Sequence, residues 1–275
     1  MTNAREFRDR YGPWAVVAGG TTGVGEAYSR ELAALGLNLV IIGIETENLD
    51  RLANELPEAH SVEVRTANLD LASSDLLEQM RALTSDIEVG LLVYNACFLE
   101  IGEFVDVELD AHLKALDVNC RGPLILSHLL GRQMVERGHG GILLMASASA
   151  CHGTAMISSY SASKSFDIAL GEALWEELRH RGVDVLALVA GAMTTPNFRK
   201  VTPREKEHLL RPMSPDDVAR QALGALGEGP VKIPGLMNKI GAFITLRILP
   251  SRQAVKFVSA RTREVYCDNP AAGSD

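Results

Sequence analysis

Residues 14–35 read WAVVAGGTTGVGEAYSRELAAL, and this stretch decides the fold. The uninterrupted apolar run Trp14–Ala18 predicts a strand buried on both faces, which is typical of parallel sheets. The apolar spacing of Gly25–Leu35 predicts a helix. Between them, Gly19, Gly23 and Gly25 allow a tight turn that brings the backbone close to a phosphate at the start of that helix. Its position after the first strand favours dinucleotide binding over a turn that merely connects two elements.

The rest of the chain alternates short apolar runs with longer amphipathic segments. The further predicted strands are Leu37–Ile42, Ser61–Arg65, Gly90–Tyr94, Gly141–Ser147, Val183–Val189 and Val231–Ile233. The further predicted helices are Asn48–Glu55, Ser74–Leu83, Asp106–Gln133 (one helix or two), Ser159–Arg181 and Asp216–Leu226. This alternation predicts the α/β class, a single-domain doubly wound parallel sheet of the Rossmann type with helices on both faces. No linker divides residues 1–275, and we expect the tail 268–275 to be disordered.

Length, composition and charge exclude several classes of protein. The chain has 275 residues, 47% of them hydrophobic, and a net charge of −8. It can therefore bury a full core, and the acidic balance argues against a nucleic-acid binder. The four cysteines form no CxxC pair and the seven histidines have no metal-ligand spacing, so we predict no metal site and a reducing compartment. The charged start and the lack of an 18-residue apolar run predict neither signal peptide nor membrane span, hence a cytoplasmic protein.

A tyrosine and a lysine one helical turn apart form the second motif. Tyr160 and Lys164 are spaced i and i+4, which places both on one face of the predicted helix. Because an ammonium favours a neighbouring phenolate, we expect Lys164 to lower the pKa of Tyr160 from about 10 towards neutral pH. Such a phenol can exchange a proton with an alcohol oxygen. The alternative is a packed tyrosine beside a solvated lysine, a spacing that chance gives roughly one chain in eight of this composition.

Two further polar residues point to the same chemistry. Ser147 ends a predicted strand upstream of Tyr160, at the sheet edge where open α/β sheets bind ligands. Asn119 lies inside a predicted helix, where asparagine is unfavourable unless its side chain has a specific partner. We therefore expect both side chains to contribute to the site.

These residues together resemble the short-chain dehydrogenase/reductase family. The similar pattern is Gly19-x3-Gly23-x-Gly25, then Asn119, Ser147 and Tyr160-x3-Lys164, within roughly residues 11–195. Residues 11–36 and the stretch VRTANLDLASSDL (64–76) look most like hydroxysteroid dehydrogenases and long-chain 3-oxoacyl-CoA reductases. The resemblance implies an oxidoreductase that transfers a hydride between a nicotinamide cofactor and a hydrophobic secondary alcohol or ketone of steroid, acyl or aromatic type.

The resemblance also implies a role for each residue. Tyr160 is the general acid/base, and Lys164 binds the nicotinamide ribose. Ser147 polarises the substrate oxygen, and Asn119 holds a water that relays protons to Lys164. The implied cofactor-binding residues are Gly19, Thr21, Thr22, Gly23, Val24, Gly25, Ile44, Glu45, Asp70, Leu71, Asn95, Ala96, Tyr160, Lys164, Gly191, Met193 and Thr195.

The end of the second strand predicts which cofactor binds. In this position an acidic residue hydrogen-bonds the 2′-hydroxyl of NAD, and an arginine pairs with the 2′-phosphate of NADP. By the resemblance, Ile44 occupies the NADP-reading position and Gly43 the NAD-reading one. Glu45 is acidic and the glycine loop has no Lys or Arg, so we predict NAD. NADP is the alternative if Glu45 simply points to solvent.

The chain departs from the family pattern around the substrate. Ala18 replaces a threonine, the usual Asn-Asn-Ala-Gly reads Tyr94-Asn95-Ala96-Cys97, and Ala190 replaces a proline before Gly191. No departure removes a catalytic atom, so they concern substrate fit. By family position, the residues lining the substrate are Cys97, Phe98, Ser149, Cys151, His152, Gly153, Met193 and Phe198. The polar segment 197–215 is expected to form a mobile substrate flap.

Two surfaces predict contacts beyond the domain. The segment 234–266 reads as a basic amphipathic extension, which we expect to pack on the body or a neighbouring subunit. The alternatives are that it caps the pocket or rests on a membrane surface. The helices Asp106–Gln133 and Ser159–Arg181 resemble those through which the family forms homodimers or homotetramers.

For the chain as a whole, the alternative to an enzyme is a catalytically silent dinucleotide-binding sensor or scaffold, which would need none of the four catalytic side chains.

Overall fold

The apolar runs form seven parallel strands in the computed structural model, which describes residues 3–267. The strands are β1 (Trp14–Ala18), β2 (Asn38–Gly43), β3 (Val64–Asn68), β4 (Val89–Tyr94), β5 (Gly140–Ser147), β6 (Val183–Ala190) and β7 (Val231–Lys232). Their order across the sheet is β3-β2-β1-β4-β5-β6-β7. The chain direction across the sheet therefore reverses between β1 and β4, which confirms the doubly wound fold. The predicted tail, 268–275, lies outside the described residues.

Helices cover both faces of this sheet. They are α1 (Ala4–Tyr11), α2 (Gly23–Ala34), α3 (Thr46–His60), α4 (Leu76–Thr84), α5 (Leu109–Leu116), α6 (Gly122–Arg137), α7 (Ser158–Leu178), α8 (Pro196–Val201), α9 (Glu207–Leu210), α10 (Pro215–Ala225), α11 (Leu236–Phe243) and α12 (Ser251–Tyr266). One apolar cluster joins the sheet to α1, α2, α3 and α10, and the other joins it to α4, α6 and α7. Because both faces are covered, nearly every residue of β1, β4, β5 and β6 is buried, as their continuous apolar runs require.

The third strand and the helix before it differ from the prediction. The strand predicted at Ser61–Arg65 lies instead at Val64–Asn68, and α3 runs past Pro57 to His60. Ser61 ends this helix in a left-handed conformation, with φ at 55°. That turn uses the residues that sequence patterning assigned to the strand, so the strand begins three residues later.

The long helical region resolves into two helices joined by a π turn. α5 and α6 are separated by one π-helical turn, Asp117–Arg121, which contains Asn119. π turns disturb the regular i→i+4 ladder and occur often at functional sites. Here Tyr94 donates from its hydroxyl to the carbonyl oxygen of Val118 over 2.6 Å, so the end of β4 is fixed to this turn.

The segments 197–215 and 234–266 follow β6 and pack against the body of the protein. The segment 197–215 contains short helices, and two of its own side chains, Phe198 and Thr202, are buried. α11, a second π turn (Ile244–Ile248) and α12 follow, and they turn small residues such as Ala242 and Ala254 inwards. The extension 234–266 therefore packs on the body. Its large apolar side chains face outwards, among them Leu236, which is 71% exposed.

The contact between β4 and the π turn requires glycine at position 122. A Cβ atom built there overlaps the Tyr94 hydroxyl. We expect Gly122→Ala to lower the free energy of unfolding by about 1–3 kcal/mol, because the core has to shift around the added methyl group. Urea denaturation measures the change. Gly241→Ala is the matched control, since this helical glycine has open space and alanine there should be neutral or stabilising by about 1 kcal/mol. Equal stability of the Gly122 variant would contradict the prediction.

Candidate active site

The site lies at the carboxyl edge of the sheet, where the chain direction reverses. Ala18, Tyr94, Ser147 and Ala190 are the last residues of four neighbouring strands, β1, β4, β5 and β6. Open α/β sheets bind ligands in the crevice outside such strand ends, at the topological switch point. The glycine loop, the Tyr160 region and the loop after β6 therefore meet at one edge.

The glycine loop packs directly on the end of β4. Gly19 has φ at +75°, and a Cβ atom there would lie 2.6 Å from the Cα atom of Ala96. A Cβ atom at Gly25 would overlap the Gly19 carbonyl oxygen, which accepts a hydrogen bond from the Asn95 Nδ2 at 2.9 Å. Glycine is thus required by contact at both positions. The structure brings these predicted cofactor-binding residues together.

The start of α2 is suited to hold a pyrophosphate. Thr22 is its N-cap, and the Thr22 side chain makes no capping hydrogen bond. The first N–H groups of the helix are therefore left for an anion, and its dipole favours negative charge. The loop after β6 lies against this turn, because a Cβ atom at Gly23 would come within 2.9 Å of the Thr195 Cγ2. The cradle fits the phosphates of a dinucleotide.

Glu45 points to the glycine loop rather than away from it. The Thr21 Oγ1 donates a hydrogen bond of 2.5 Å to the Glu45 Oε2, and Thr21 itself is buried. Gly43 allows this approach, since a Cβ atom there would overlap the Thr21 side chain. Ile44, between them, is 66% exposed. A carboxylate therefore stands at the end of β2, where an adenosine ribose is read in this fold.

Asp70 is held in a local turn on the same side. Its Oδ1 accepts from the backbone N–H of Ala72 at 2.9 Å, and Leu71 is buried beside it. Asn68 donates to the Thr46 Oγ1 at 2.7 Å. Among the described residues, the second carboxylate oxygen of Asp70 therefore has no hydrogen bond. The Asn68 amide, by contrast, is bound to Thr46 at the start of α3.

Ser147 and Tyr160 face each other across the end of β5. The Ser147 Oγ accepts from the Ser149 backbone N–H at 3.3 Å and from its hydroxyl at 2.9 Å, which fixes the short 3₁₀ turn Ala148–Cys151. A hydrogen bond between Ser147 and the half-buried Tyr160 lowers the pKa of that phenol. The two hydroxyl groups of the predicted set are thus brought together.

Lys164 lowers the pKa of Tyr160 as expected, but other effects outweigh it. Burial raises the pKa of Tyr160 to about 12, the Cys97 thiol adds to the rise, and Lys164 and Ser147 counteract only part of it. The spacing predicted the ammonium correctly, but it did not reveal the burial of the phenol. At neutral pH this phenol is protonated.

Lys164 also has partners that its spacing did not predict. Its Nζ donates to the Met145 carbonyl oxygen at 2.6 Å and to the Asp167 Oδ2 at 2.9 Å. Burial opposes its charge, yet Asp167, Cys97 and Tyr160 outweigh that penalty, so the pKa of Lys164 is raised. The alternative of a solvated lysine is excluded, because Lys164 is 2% exposed.

Asn119 is a fully buried connector within the first π turn. Its Oδ1 accepts from the Phe98 N–H at 2.7 Å, and its Nδ2 donates to the Phe98 carbonyl oxygen and to the Ser163 Oγ, both at 2.9 Å. Its side chain therefore has the specific partners that its helical position predicted. They tie the loop after β4 to α7 one turn from Tyr160.

The predicted substrate-lining residues lie in different environments. His152 lies within 2.9 Å of the Thr245 carbonyl oxygen, so it connects the turn after β5 to the C-terminal extension. Burial raises the pKa of the Cys151 thiol, which makes it a poor nucleophile. Cys97 and Gly153 are exposed, and Phe198 is buried. Met193 pairs with Met213 in an isolated bridge.

Sequence reasoning missed Asp167, Asn238 and Thr245. Asp167 sits three residues after Lys164 in an otherwise apolar helical stretch, a signal that was available but not used. Asn238 stands against Gly191, whose added Cβ atom would lie 2.7 Å from its side-chain oxygen. Asn238 and Thr245 belong to the extension, and only the fold shows that this extension reaches the site.

Within residues 3–267 there is no cluster of three potential metal ligands, and no helix there is long and apolar enough to cross a bilayer.

Comparisons with known proteins identify related chains. The family profile described as short chain dehydrogenase matches residues 13–206. A 7beta-hydroxysteroid dehydrogenase of Clostridium sardiniense is 30% identical over 234 residues, 85% of this chain and 89% of that protein. The very-long-chain 3-oxoacyl-CoA reductase of Homo sapiens is 33% identical over 220 residues, 78% of this chain and 69% of that protein. Both relatives come from the branch that the sequence resembles.

Solved structures share the architecture. A structure from work on 7beta-hydroxysteroid dehydrogenase stereoselectivity superposes with a TM-score of 0.87 at 25% identity, covering 92% of this chain and 98% of that one. A short-chain dehydrogenase from Sphingobium yanoikuyae in complex with NADPH superposes with a TM-score of 0.76 at 24% identity, covering 87% and 97%. The second likeness is one of fold.

Proposed function

The chain belongs to the short chain dehydrogenase family, and from that membership we propose that it interconverts a hydrophobic secondary alcohol and its ketone, with Tyr160 as general acid/base. Membership itself makes it an oxidoreductase that uses NAD(P). One observation carries the finer proposal. Ser147, Tyr160 and Lys164 converge at the sheet edge beside a glycine loop that accommodates a pyrophosphate.

The chain's own residues hold the dinucleotide and direct its chemistry. The glycine loop and the start of α2 bind the phosphates, Asn95 and Ala96 border the adenosine-side ribose, and Lys164 binds the nicotinamide ribose. Gly191 and Thr195 border the carboxamide side. The cofactor, when bound, supplies or accepts the hydride.

The direction of proton transfer depends on whether the Tyr160 phenol is protonated. In ketone reduction, negative charge develops on the substrate oxygen, and the hydroxyls of Ser147 and Tyr160 stabilise it by hydrogen bonding. Tyr160, which its raised pKa keeps protonated at neutral pH, then gives its proton to that oxygen. In alcohol oxidation Tyr160 must first lose a proton, so we expect oxidation to accelerate as pH rises.

The surroundings of this pair favour an apolar substrate. Phe98, Met193 and the buried Phe198 offer apolar contact, and the segment 197–215 is proposed as the flap that closes over it. Steroid, acyl and aromatic ketones all fit this description. We also propose a cytoplasmic location, whose reducing conditions suit four unpaired cysteines.

Removing one hydroxyl tests the catalytic role. Tyr160→Phe is expected to lower ketone reduction by about 100- to 10,000-fold, because it removes the proton donor and general acid catalysis contributes about that much in such reactions. The measurement is NADH oxidation across a panel of steroid, 3-oxoacyl and aromatic ketones, together with the dissociation constant of NADH, which should stay nearly unchanged.

Tyr11→Phe is the matched control for this change. Its hydroxyl donates to Asp184 at 2.7 Å near the beginning of β6, far from the site edge, so turnover should be retained. NADH binding without turnover of any ketone by the native protein would favour a sensor or scaffold instead. Full activity of Tyr160→Phe would contradict the assigned role.

We propose NAD rather than NADP as the cofactor. The Glu45 carboxylate is held against Thr21 at the end of β2, and a 2′-phosphate there would meet a negative charge. Arg51, the cation on the following helix, is already paired with Glu26 at 2.9 Å. The carboxylate suits a ribose hydroxyl.

Two substitutions test this preference. We expect the native protein to bind NADH at least about tenfold more tightly than NADPH, a difference of about 1.4 kcal/mol. Ile44→Arg with Glu45→Gln should reverse the order, because it replaces a repulsive charge by a phosphate partner. Calorimetric titration with both cofactors gives the ratio, and Glu47→Gln, an exposed neighbour, should leave it unchanged. Tighter binding of NADPH by the native protein would sink the proposal.

We further propose that the chain forms a homodimer or homotetramer. Leu109, Leu113 and Leu116 of α5 and Leu124 of α6 are 47–67% exposed, a row of large apolar side chains that isolated monomers rarely present to water. These lie on the helical region that resembles the family's assembly surface.

Charged substitutions on α5 test the assembly. Leu113→Glu with Leu116→Glu should reduce the mass measured by light scattering to that of a monomer, since buried carboxylates oppose association. Leu236→Glu with Met237→Glu, on the exposed face of α11, is the matched control for mass. If the native protein binds anionic vesicles and Leu236→Glu with Met237→Glu does not, the membrane alternative for the extension is supported. An unchanged oligomer in the α5 variant would rule out this surface.

A further inference from the structure

The Lys164 ammonium is fixed between the sheet and the next turn of its own helix. Its Nζ donates to the Met145 carbonyl oxygen of β5 at 2.6 Å and to the Asp167 Oδ2 at 2.9 Å. An ammonium has three N–H donors. Two are thus committed to the protein, and one remains for the reacting groups.

Asp167 has no evident structural reason to be a carboxylate. It is 1% exposed, and its Oδ1 has no hydrogen-bond partner among the described residues. A buried carboxylate is costly, and a buried ion pair is seldom a net source of stability compared with an apolar pair. An acidic residue at this depth, beside the lysine of the site, therefore points to an electrostatic role.

We propose that Asp167 is a positioning residue that fixes the Lys164 ammonium against β5 and neutralises part of its charge, thereby setting the pH at which Tyr160 exchanges its proton. The inference rests on the proposed function, in which Tyr160 is the general acid/base.

The groups that face this ion pair come from four parts of the chain. They are Tyr160 on α7, Tyr94 at the end of β4, Cys97 in the loop after β4 and Cys120 in the first π turn. All four are phenols or thiols. The carboxylate that opposes the Lys164 charge is thus supplied by Asp167.

The sign of the effect follows from the charges. An ammonium lowers the pKa of a neighbouring phenol, and a carboxylate raises it. Lys164 lowers the pKa of Tyr160 and Asp167 raises it, and both effects are smaller than that of burial. Removing the carboxylate leaves the ammonium charge unopposed, so Tyr160 should lose its proton at lower pH.

Asp167→Asn tests this prediction with little change of shape. The amide oxygen can still accept from Lys164, but the negative charge is gone. The measurement is the pH dependence of kcat/KM for NAD-dependent oxidation of the alcohol whose ketone has the highest turnover in the panel above. We expect the midpoint of the rise to move about one pH unit lower, giving about tenfold faster oxidation below the native midpoint.

Matched variants separate charge from packing. Asp167→Glu keeps the charge and should keep the midpoint near the native one. Asp184→Asn removes another carboxylate that pairs with a cation, Arg10, and accepts from a tyrosine, Tyr11, but far from the site edge, so the midpoint should not move. If Asp167→Asn does not fold, Asp167→Ser offers a smaller neutral side chain for the same measurement.

The outcomes also distinguish this inference from the proposed function. Tyr160→Phe is measured in the same assay, and its full activity would overturn both. An inactive Tyr160→Phe together with coincident midpoints for native protein and Asp167→Asn would overturn the role of Asp167 alone. A loss of thermal stability in Asp167→Asn without a moved midpoint would likewise reduce Asp167 to a packing residue.

Discussion

A buried ammonium group constrains the whole candidate site. Because Lys164 is shielded from water, its charge has to be met by protein, and it is met by the Met145 carbonyl of β5 and by the Asp167 carboxylate. These contacts hold α7 at a fixed height against the sheet. Tyr160, one turn earlier on the same helix, is thereby set opposite Ser147 at the end of β5. The position of Tyr160 relative to Ser147 is thus a consequence of where a charge can be buried.

The nucleotide side depends on a different constraint, the absence of side chains. The chain approaches itself so closely around the glycine loop that Gly19 and Gly25 leave no room for a Cβ atom. The same contacts bring the Asn95 amide onto the Gly19 carbonyl oxygen and so join β1 to β4. A phosphate cradle and a rigid junction of two strands are therefore one structure. At its border Glu45 reaches back to Thr21, which leaves a carboxylate at the end of β2.

Departures from the family pattern are absorbed by compensating contacts. Tyr94 takes the place of a smaller polar residue, and its hydroxyl is satisfied by the Val118 carbonyl oxygen within a π turn. The glycine at position 122 makes room for that hydroxyl. Asn119, in the same turn, ties the Phe98 backbone to Ser163. A helix distortion that disrupts local hydrogen bonding thus gives two polar side chains their partners, next to α7.

Much of this protein could be predicted from local pattern. Continuous apolar runs, the glycine loop and the Tyr160–Lys164 spacing depend on neighbours in sequence, and the parallel sheet and family followed from them. The start of β3 was misplaced, because the left-handed Ser61 ends α3 with residues that could equally begin a strand. Lys164 lowers the pKa of Tyr160 as expected, but burial raises it by more, and burial is a property of the packed molecule that spacing does not contain.

The sequence by itself determined the doubly wound parallel sheet, the glycine loop and the Tyr160–Lys164 spacing, because periodicity and glycine content act over a few residues. Only the tertiary structure decided that Lys164 is paired with Asp167, that Glu45 turns to Thr21, and that the C-terminal extension reaches His152. The physical reason is that charge compensation and desolvation depend on all the atoms within a few ångströms, whichever part of the chain supplies them.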